Sequence, residues 1–236
     1  DAKVRKALSL AIDRDYVANT IMQGTYEPAY NFVGPGIVDE NGMFYDNANG
    51  GERYISNDYD ANLEEAKQLM ADAGYADGFD IECSVSPGLL NSTDVVQAIA
   101  SQLAQIGINV TIKQEDSATQ RDEIGAGTVA PLFLQGLGGP YCDINLIASI
   151  GFTEGARYCT WVSPEFMDLA SQAASEMDAE KRVALYSQMQ QMMVDEAPAL
   201  WLYQQDTLYA YNSKKVQNWT ARTDEVVLMD GVSVAG

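Results

Sequence analysis

The stretch from Phe79 to Gln135 limits the fold more than any other part of the chain. Phe79, Ile81, Cys83 and Val85 alternate with Asp80, Glu82 and Ser84, the period of a half-buried strand. Val96, Ile99, Ala100, Leu103 and Ile106 follow at helical spacing, and Gly107 stops them. Val110 and Ile112 mark a second strand, and Ser117 with Gln120 form a capping box on a short helix ending at Gly125. Pro131 to Gln135 then reads as a third strand. The order is β-α-β-α-β, and the connections are long enough for parallel pairing through right-handed crossovers. The expected fold class is therefore α/β, a mainly parallel sheet flanked by helices.

The flanking regions are helical and loop-rich. Val4, Ala7, Leu8, Ala11 and Ile12 predict an amphipathic helix over residues 3–22. From Gly24 to Asp60 the pattern dissolves into Gly, Asn, Asp, Tyr and Pro, a long loop. Asp60 is the expected N-cap of the next helix, with Leu63, Ala66, Leu69, Met70 and Ala73 on one face and Gly74 at its end. A second loop is expected from Gly136 to about Val162. Two helices follow, the first with Ser163 as N-cap and Pro164 at its first position. The second carries Val183, Tyr186, Met189 and Met193 on one side and ends before Pro198; Met189, Met192 and Met193 read as packing. Trp201 to Tyr211 reads as one or two strands. The polar stretch from Asn212 to Gly236, with its short Val226-Val227-Leu228 run, is not expected to share that core. Asp1 is not an initiator Met and helical periodicity begins at once, so we read the chain as a piece of a longer protein.

Composition narrows the chemistry. There is no histidine among the 236 residues, which removes imidazole-based triads and His-bearing zinc sites. Three cysteines cannot build a Cys₄ metal centre. No cofactor or metal is expected, and enzymatic activity is not expected. The formal charge of −20, from 14 basic and 34 acidic residues, makes nucleic acid a poor partner. No apolar run approaches the roughly 18 residues of a membrane span.

In open parallel sheets, ligands sit beyond the carboxyl ends of the strands. Two loops qualify here: Ser86-Pro87-Gly88-Leu89-Leu90-Asn91 after the first strand, and Gly136-Leu137-Gly138-Gly139-Pro140-Tyr141-Cys142-Asp143 after the third. The glycines allow close backbone approach, Tyr141 offers a stacking face, and Asp143 an anionic acceptor; a plain tight turn is the competing reading. Neither a dinucleotide-binding nor a P-loop fingerprint is present. Cys142 and Cys159 bracket the segment holding Arg157, and they either pair or remain thiols. Cys83 reads as core. Asp39/Glu40, Glu64/Glu65, Asp122/Glu123 and Asp224/Glu225 read as solvated faces rather than catalytic pairs. The 13 tyrosines against 6 phenylalanines suit surfaces that clasp polar ligands, and equally sheet edges.

Val4-Arg5-Lys6-Ala7-Leu8-Ser9-Leu10-Ala11-Ile12-Asp13-Arg14 resembles the V-R-x-A-L-x-x-A-I-D-R segment of the family 5 extracellular solute-binding proteins, the oligopeptide, dipeptide and nickel receptors of ABC importers. The resemblance continues through Pro28-Ala29, Asp60 to Leu69 with Glu65-Ala66-Lys67, Ala73-Gly74-Tyr75 and Phe79. It resumes at Gln102-Leu103 to Ile112, and again from Tyr158 through Ala197-Pro198 and Leu200. It implies that residues 1–211 are the carboxy-terminal lobe of a two-lobed (class II, cluster C) binding protein. It further implies that 212–236 is a tail returning to the other lobe.

The resemblance also implies a function: capture of a peptide or similar small polar solute between two lobes, outside the cytoplasm, with importer permease subunits as partners and a lipid anchor elsewhere in the full protein. Ligand contacts would come from Ser86, Leu137, Gly138, Gly139, Pro140, Tyr141, Asp143 and Arg157. In the family's G-W-x-x-D loop the Trp position is Leu137 here, and the amine-binding Asp position is Pro140. Gly138-Gly139-Pro140-Tyr141 instead resembles the W-G-A-P-Y-D loop of nickel receptors, so a chelated metal is the alternative cargo. Two further classes stand beside these. An acidic hydrolase needs two carboxyls roughly 5–9.5 Å apart, and an interaction module needs an exposed apolar patch.

Overall fold

The computed structural model describes residues 1–32, 55–137, 144–156, 158, 161–222 and 227–235. Helix α1 (Ala2–Leu10) starts at Asp1, whose carboxylate accepts from Lys3 N–H at 2.8 Å. The helix expected over 3–22 breaks after Ala11. Asp13 accepts from Tyr16 N–H at 2.9 Å and starts α2 (Arg14–Tyr16), which widens into a π-helical turn over Val17–Ile21. In an unbroken helix the carbonyls of Ser9 and Ile12 would be taken by amides four residues on. Here they accept from the guanidinium of Arg14, at 2.8 and 3.1 Å. Strand β1 (Glu27–Pro28) lies within the segment read as loop. Helix α3 (Tyr59–Asp72) is capped by Asp58 rather than Asp60, because Tyr59 is already helical and its hydroxyl donates to Ala11 O at 3.0 Å. It packs on α1 through Leu63, Ala66 and Met70.

The central unit follows the expected order. β2 (Phe79–Val85), α4 (Ser92–Leu103, continued by a 3₁₀ turn to Ile106), β3 (Ile108–Gln114), α5 (Ser117–Ala126) and β4 (Leu132–Phe133) build a parallel sheet of order β3-β2-β4. The register runs from Phe79 opposite Ile108 to Val85 opposite Gln114. Alternation fails at the end of β2, where Cys83, Ser84 and Val85 are all buried. Cys83 and Val85 meet Val96 of α4, while Ser84 is bonded by Gln120 of α5. The α5 cap is Asp116, accepting from Ala118 and Thr119 amides; Ser117 is helical, and Gln120 is buried rather than reaching back to the cap.

Gly78 and Gly107 cross at the amino ends of β2 and β3. Both have positive φ, and a Cβ on Gly78 would lie 1.8 Å from Gly107 O. Only glycine permits that approach.

The expected loop after Gly136 contains helix α6 (Ile144–Gly151), with Ile144, Ala148 and Phe152 buried. α7 (Pro164–Ser175) is capped by Ser163, as expected, with Phe166 N–H donating to its Oγ at 3.2 Å. α8 (Ala179–Glu196) buries Tyr186, Met189 and Met193 and ends at Ala197. These three helices enclose an aromatic core in which Phe152, Phe166, Phe32, Trp161 and Trp201 meet edge to face. β5 (Tyr203–Gln204) is far shorter than the 201–211 stretch and pairs antiparallel with β1. Among the described residues, β6 (Val216–Gln217) and β7 (Ser233–Val234) pair only with each other, antiparallel.

Candidate functional site at the strand ends

The two loops singled out by position do converge. Leu89, from the loop after β2, sits against Gly136 after β4; a Cβ at Gly136 would meet Leu89 Cδ2 at 3.3 Å. Ser86 is buried, and its carbonyl accepts from Ser92 Oγ at 2.7 Å, so the loop is fastened to the first residue of α4. Leu89, not Ser86, is the member of this loop that faces the cavity described below. Leu137 also lines that cavity while abutting α6, where a Cβ on Gly151 would lie 3.4 Å from its Cδ1. Gly138, Gly139, Pro140, Tyr141, Asp143, Arg157, Cys142 and Cys159 lie outside the described residues, as do Asp39/Glu40 and Asp224/Glu225.

The cavity measures about 1290 Å³ and runs from these loops down the sheet. Its upper wall combines Leu89, Leu134, Gly136 and Leu137 with Ile147 of α6 and Tyr158, whose amide donates to Ile150 O at 3.2 Å. The facing wall is the segment from Pro198 to Tyr209. There Tyr203 stacks on Tyr26 with ring centroids 5.5 Å apart, and Gln205 Nε2 donates to the Tyr26 hydroxyl at 3.3 Å. Burial, with the neighbouring Tyr26, raises the Tyr203 phenol above its ordinary range, so it stays a neutral donor. Among the described lining residues, charge is confined to Asp206 and Arg222. Such a surface offers apolar area, aromatic faces and amide hydrogen bonds, which is binding chemistry rather than acid–base chemistry. Among the described residues no group of three or more His, Cys, Asp or Glu could hold a metal ion.

A polar cluster fixes the loops from behind, and periodicity gave no sign of it. Ser84 Oγ donates to Glu115 Oε1 and accepts from Gln120 Nε2. Lys113 Nζ lies 2.9 Å from Glu115 Oε2 and 2.6 Å from Glu123 Oε2. Burial pushes the Glu115 carboxyl up, but the Ser84 and Lys113 hydrogen bonds and the Lys113 charge outweigh it, and the net shift is downward. Glu115 N–H donates to Val85 O at 3.1 Å, tying the cluster to the end of β2. Of the acidic pairs, Glu64 and Glu65 are exposed, whereas Glu123 belongs to this ion network.

The opening motif is scaffold. Arg5 donates to the carbonyls of Glu196 and Ala197, closing the C-terminus of α8. Arg14 is 2% exposed and also donates to Ala29 O and Trp201 O, at 3.1 and 2.7 Å, holding β1 and the segment entering β5 together.

Residues 1–154 match the family described as bacterial extracellular solute-binding proteins, family 5 Middle. Among curated relatives, the dipeptide-binding protein of Escherichia coli is 27% identical over 208 residues, covering 85% of this chain and 37% of its own length. Heme-binding protein A of Haemophilus influenzae is 28% identical over 210 residues, covering 84% and 35%. Among solved structures, a dipeptide-binding protein from a Pseudoalteromonas species in complex with Met-Leu overlays with a TM-score of 0.83 at 22% identity, covering 100% of this chain and 45% of that one. HbpA2 of Haemophilus parasuis overlays with a TM-score of 0.80 at 24% identity, covering 99% and 45%. The chain thus spans less than half the length of these proteins, and the structural likenesses establish its fold.

Proposed function

Because the chain belongs to the family 5 bacterial extracellular solute-binding proteins, we propose that residues 1–211 are the carboxy-terminal lobe of a receptor that delivers a peptide or similar small polar solute to an ABC importer. The observation that carries this reading is the convergence of the loops after β2 and β4, Leu89 against Gly136, over a cavity with a mainly apolar, aromatic and amide lining. The names of the curated relatives, which include dipeptide- and oligopeptide-binding proteins, support a peptide cargo and a role without chemistry of its own. Residues 138–143 connect Leu137, which lines the cavity, to the start of α6 in sequence, and in this reading Gly138, Gly139, Pro140, Tyr141 and Asp143 would contact the solute. Tyr141 would stack on or hydrogen-bond the solute, and Asp143 would orient a polar group. Arg157, which precedes Tyr158 of the cavity wall in sequence, would add a further contact.

Ligand contacts made by both lobes favour a closed arrangement, and the importer reads that state. Residues 212–236 would pack against the other lobe. In support, Val227, Leu228, Met229 and Val234 are exposed there. The receptor would work outside the cytoplasm. Among the described residues no helix is long and apolar enough to cross a membrane, and anchoring by a lipid elsewhere in the protein is part of the same proposal.

Calorimetric titration of the full-length protein with di- and tripeptides tests the reading. Binding that Tyr141→Ala and Gly139→Val each weaken at least about tenfold, or about 1.4 kcal/mol, is expected. Unchanged affinity in both variants removes this loop from the site.

A further inference from the structure

Beneath the two loops, a charged cluster is sunk against the sheet at a place where apolar residues could pack. The Glu115 side chain is 6% exposed, and Ser84 and Gln120 are buried. The attraction between a sunken carboxylate and its ammonium partner roughly offsets the cost of taking them out of water. A well-packed apolar set of the same volume would hold the sheet about as firmly. Hydrogen-bonded charges add a fixed geometry instead. Here that geometry belongs to Ser84, which carries the roots of both loops. Its carbonyl accepts from Leu134 N–H at 3.1 Å, and the chain runs on from Leu134 to Gly136. On its own strand, Val85 closes β2 and the first loop starts at Ser86. The Ser84 hydroxyl donates to Glu115 Oε1 and accepts from Gln120 Nε2 at 2.8 Å. Glu115 N–H holds the neighbouring Val85 O at 3.1 Å.

We infer that Glu115 is a positioning residue for solute binding: it fixes Ser84, and through Ser84 it holds Leu89 against Gly136 in the arrangement that meets the solute. This rests on the solute site proposed above. The contacts run from the cluster to the cavity without a gap. Lys113 Nζ, 2.9 Å from Glu115 Oε2, is itself held by Glu123 of α5 at 2.6 Å, so β2, β3 and α5 are tied at one point. Farther along the first loop, Gly88 leans on the opening residue of α5, where an added Cβ would meet Ser117 Oγ at 2.9 Å. Leu89 comes next, lines the cavity and meets Gly136. Ser84, Lys113, Glu115, Gln120 and Glu123 do not line the cavity themselves. Removing the Glu115 charge frees the Ser84 hydroxyl and loosens both loop roots. Affinity then falls although every side chain that touches the solute is still present.

The test uses the full-length protein, calorimetry with di- and tripeptides, and the methyl NMR signals of Leu89 recorded without solute. Two variants separate positioning from stability. Glu115→Gln keeps the shape of the side chain and removes its charge. The combined variant Ser84→Ala, Lys113→Met, Glu115→Leu, Gln120→Met replaces the cluster by apolar residues and should unfold at the wild-type temperature. Both should bind peptide at least about tenfold more weakly and shift the Leu89 methyl signals. A merely structural cluster would leave the apolar variant with wild-type affinity, and that result overturns the inference. So does Glu115→Gln with unchanged affinity and unchanged Leu89 signals, which decides the matter if the combined variant does not fold. The Leu89 signals need no solute. Wild-type protein that binds no peptide therefore defeats the solute reading, whereas Leu89 signals that Glu115→Gln leaves in place defeat the positioning.

Discussion

Arg14 satisfies four carbonyls and Ser9 Oγ inside the protein. Arg14→Ala strands those acceptors and should lower unfolding free energy by about 3 kcal/mol or more. Arg14→Lys should recover little, because an ammonium cannot span the fork; denaturant titration measures both. Burial pushes the Cys83 thiol up to about 11, so iodoacetamide at pH 8 should label Cys83 only in unfolded protein. Labelling at the native, unperturbed-thiol rate would contradict its burial. Glu115 has its folded pKa lowered, so its contribution to stability is present above the unfolded carboxylate value of about 4.3 and fades as pH falls through the lower folded value. Glu115→Gln should flatten the acid limb of the stability–pH curve below about pH 4. An unchanged acid limb in that variant would remove the carboxylate from the cluster's electrostatics. These roles were not legible in the sequence, because Ser84, Lys113, Glu115, Gln120 and Glu123 come together only through strand register and the docking of α5.

At the scale of elements, legibility followed periodicity. The parallel unit from β2 to β4 was readable because its apolar residues alternate or recur cleanly and Gly107 stops α4. Helix α6 was missed although Ile144, Ala148 and Gly151 recur at helical spacing, because the surrounding Gly and Cys residues read as loop. The caps of α3 and α5 shifted by one or two residues where neighbouring polar residues offered equivalent chemistry and tertiary contacts chose between them, as Tyr59 does by bonding Ala11 O. The close approach of Gly78 to Gly107 carries a further prediction: Gly78→Ala should cost several kcal/mol, on the order of 3 or more, since backbone rather than a flexible side chain must yield. Ser163→Ala removes the cap of α7 and should cost about 1 kcal/mol. Equilibrium denaturation of the two variants side by side checks the contrast, and equal losses would contradict it.

At the scale of the whole molecule, the sequence marked two loops that border the cavity but only part of the cavity's lining. Position on the sheet marked the loops after β2 and β4, and the structure brings Leu89 and Gly136 together there. Tyr26, Trp201 and Tyr203 were not chosen, because they reach the cavity through the β1-β5 pairing, a contact between segments more than 170 residues apart. The excess of tyrosine was the available signal. The proposal of a receptor that holds a small solute between lobes rests on a large, mostly apolar cavity beside two converging loops in a member of this family. Native mass spectrometry of the full-length protein, purified without refolding and then denatured to release what it holds, tests that claim most directly. The account predicts a retained mass matching a peptide, lost in Tyr141→Ala. A protein that carries no solute and binds none of a peptide mixture, or one that releases a metal–chelator complex, would contradict the peptide assignment.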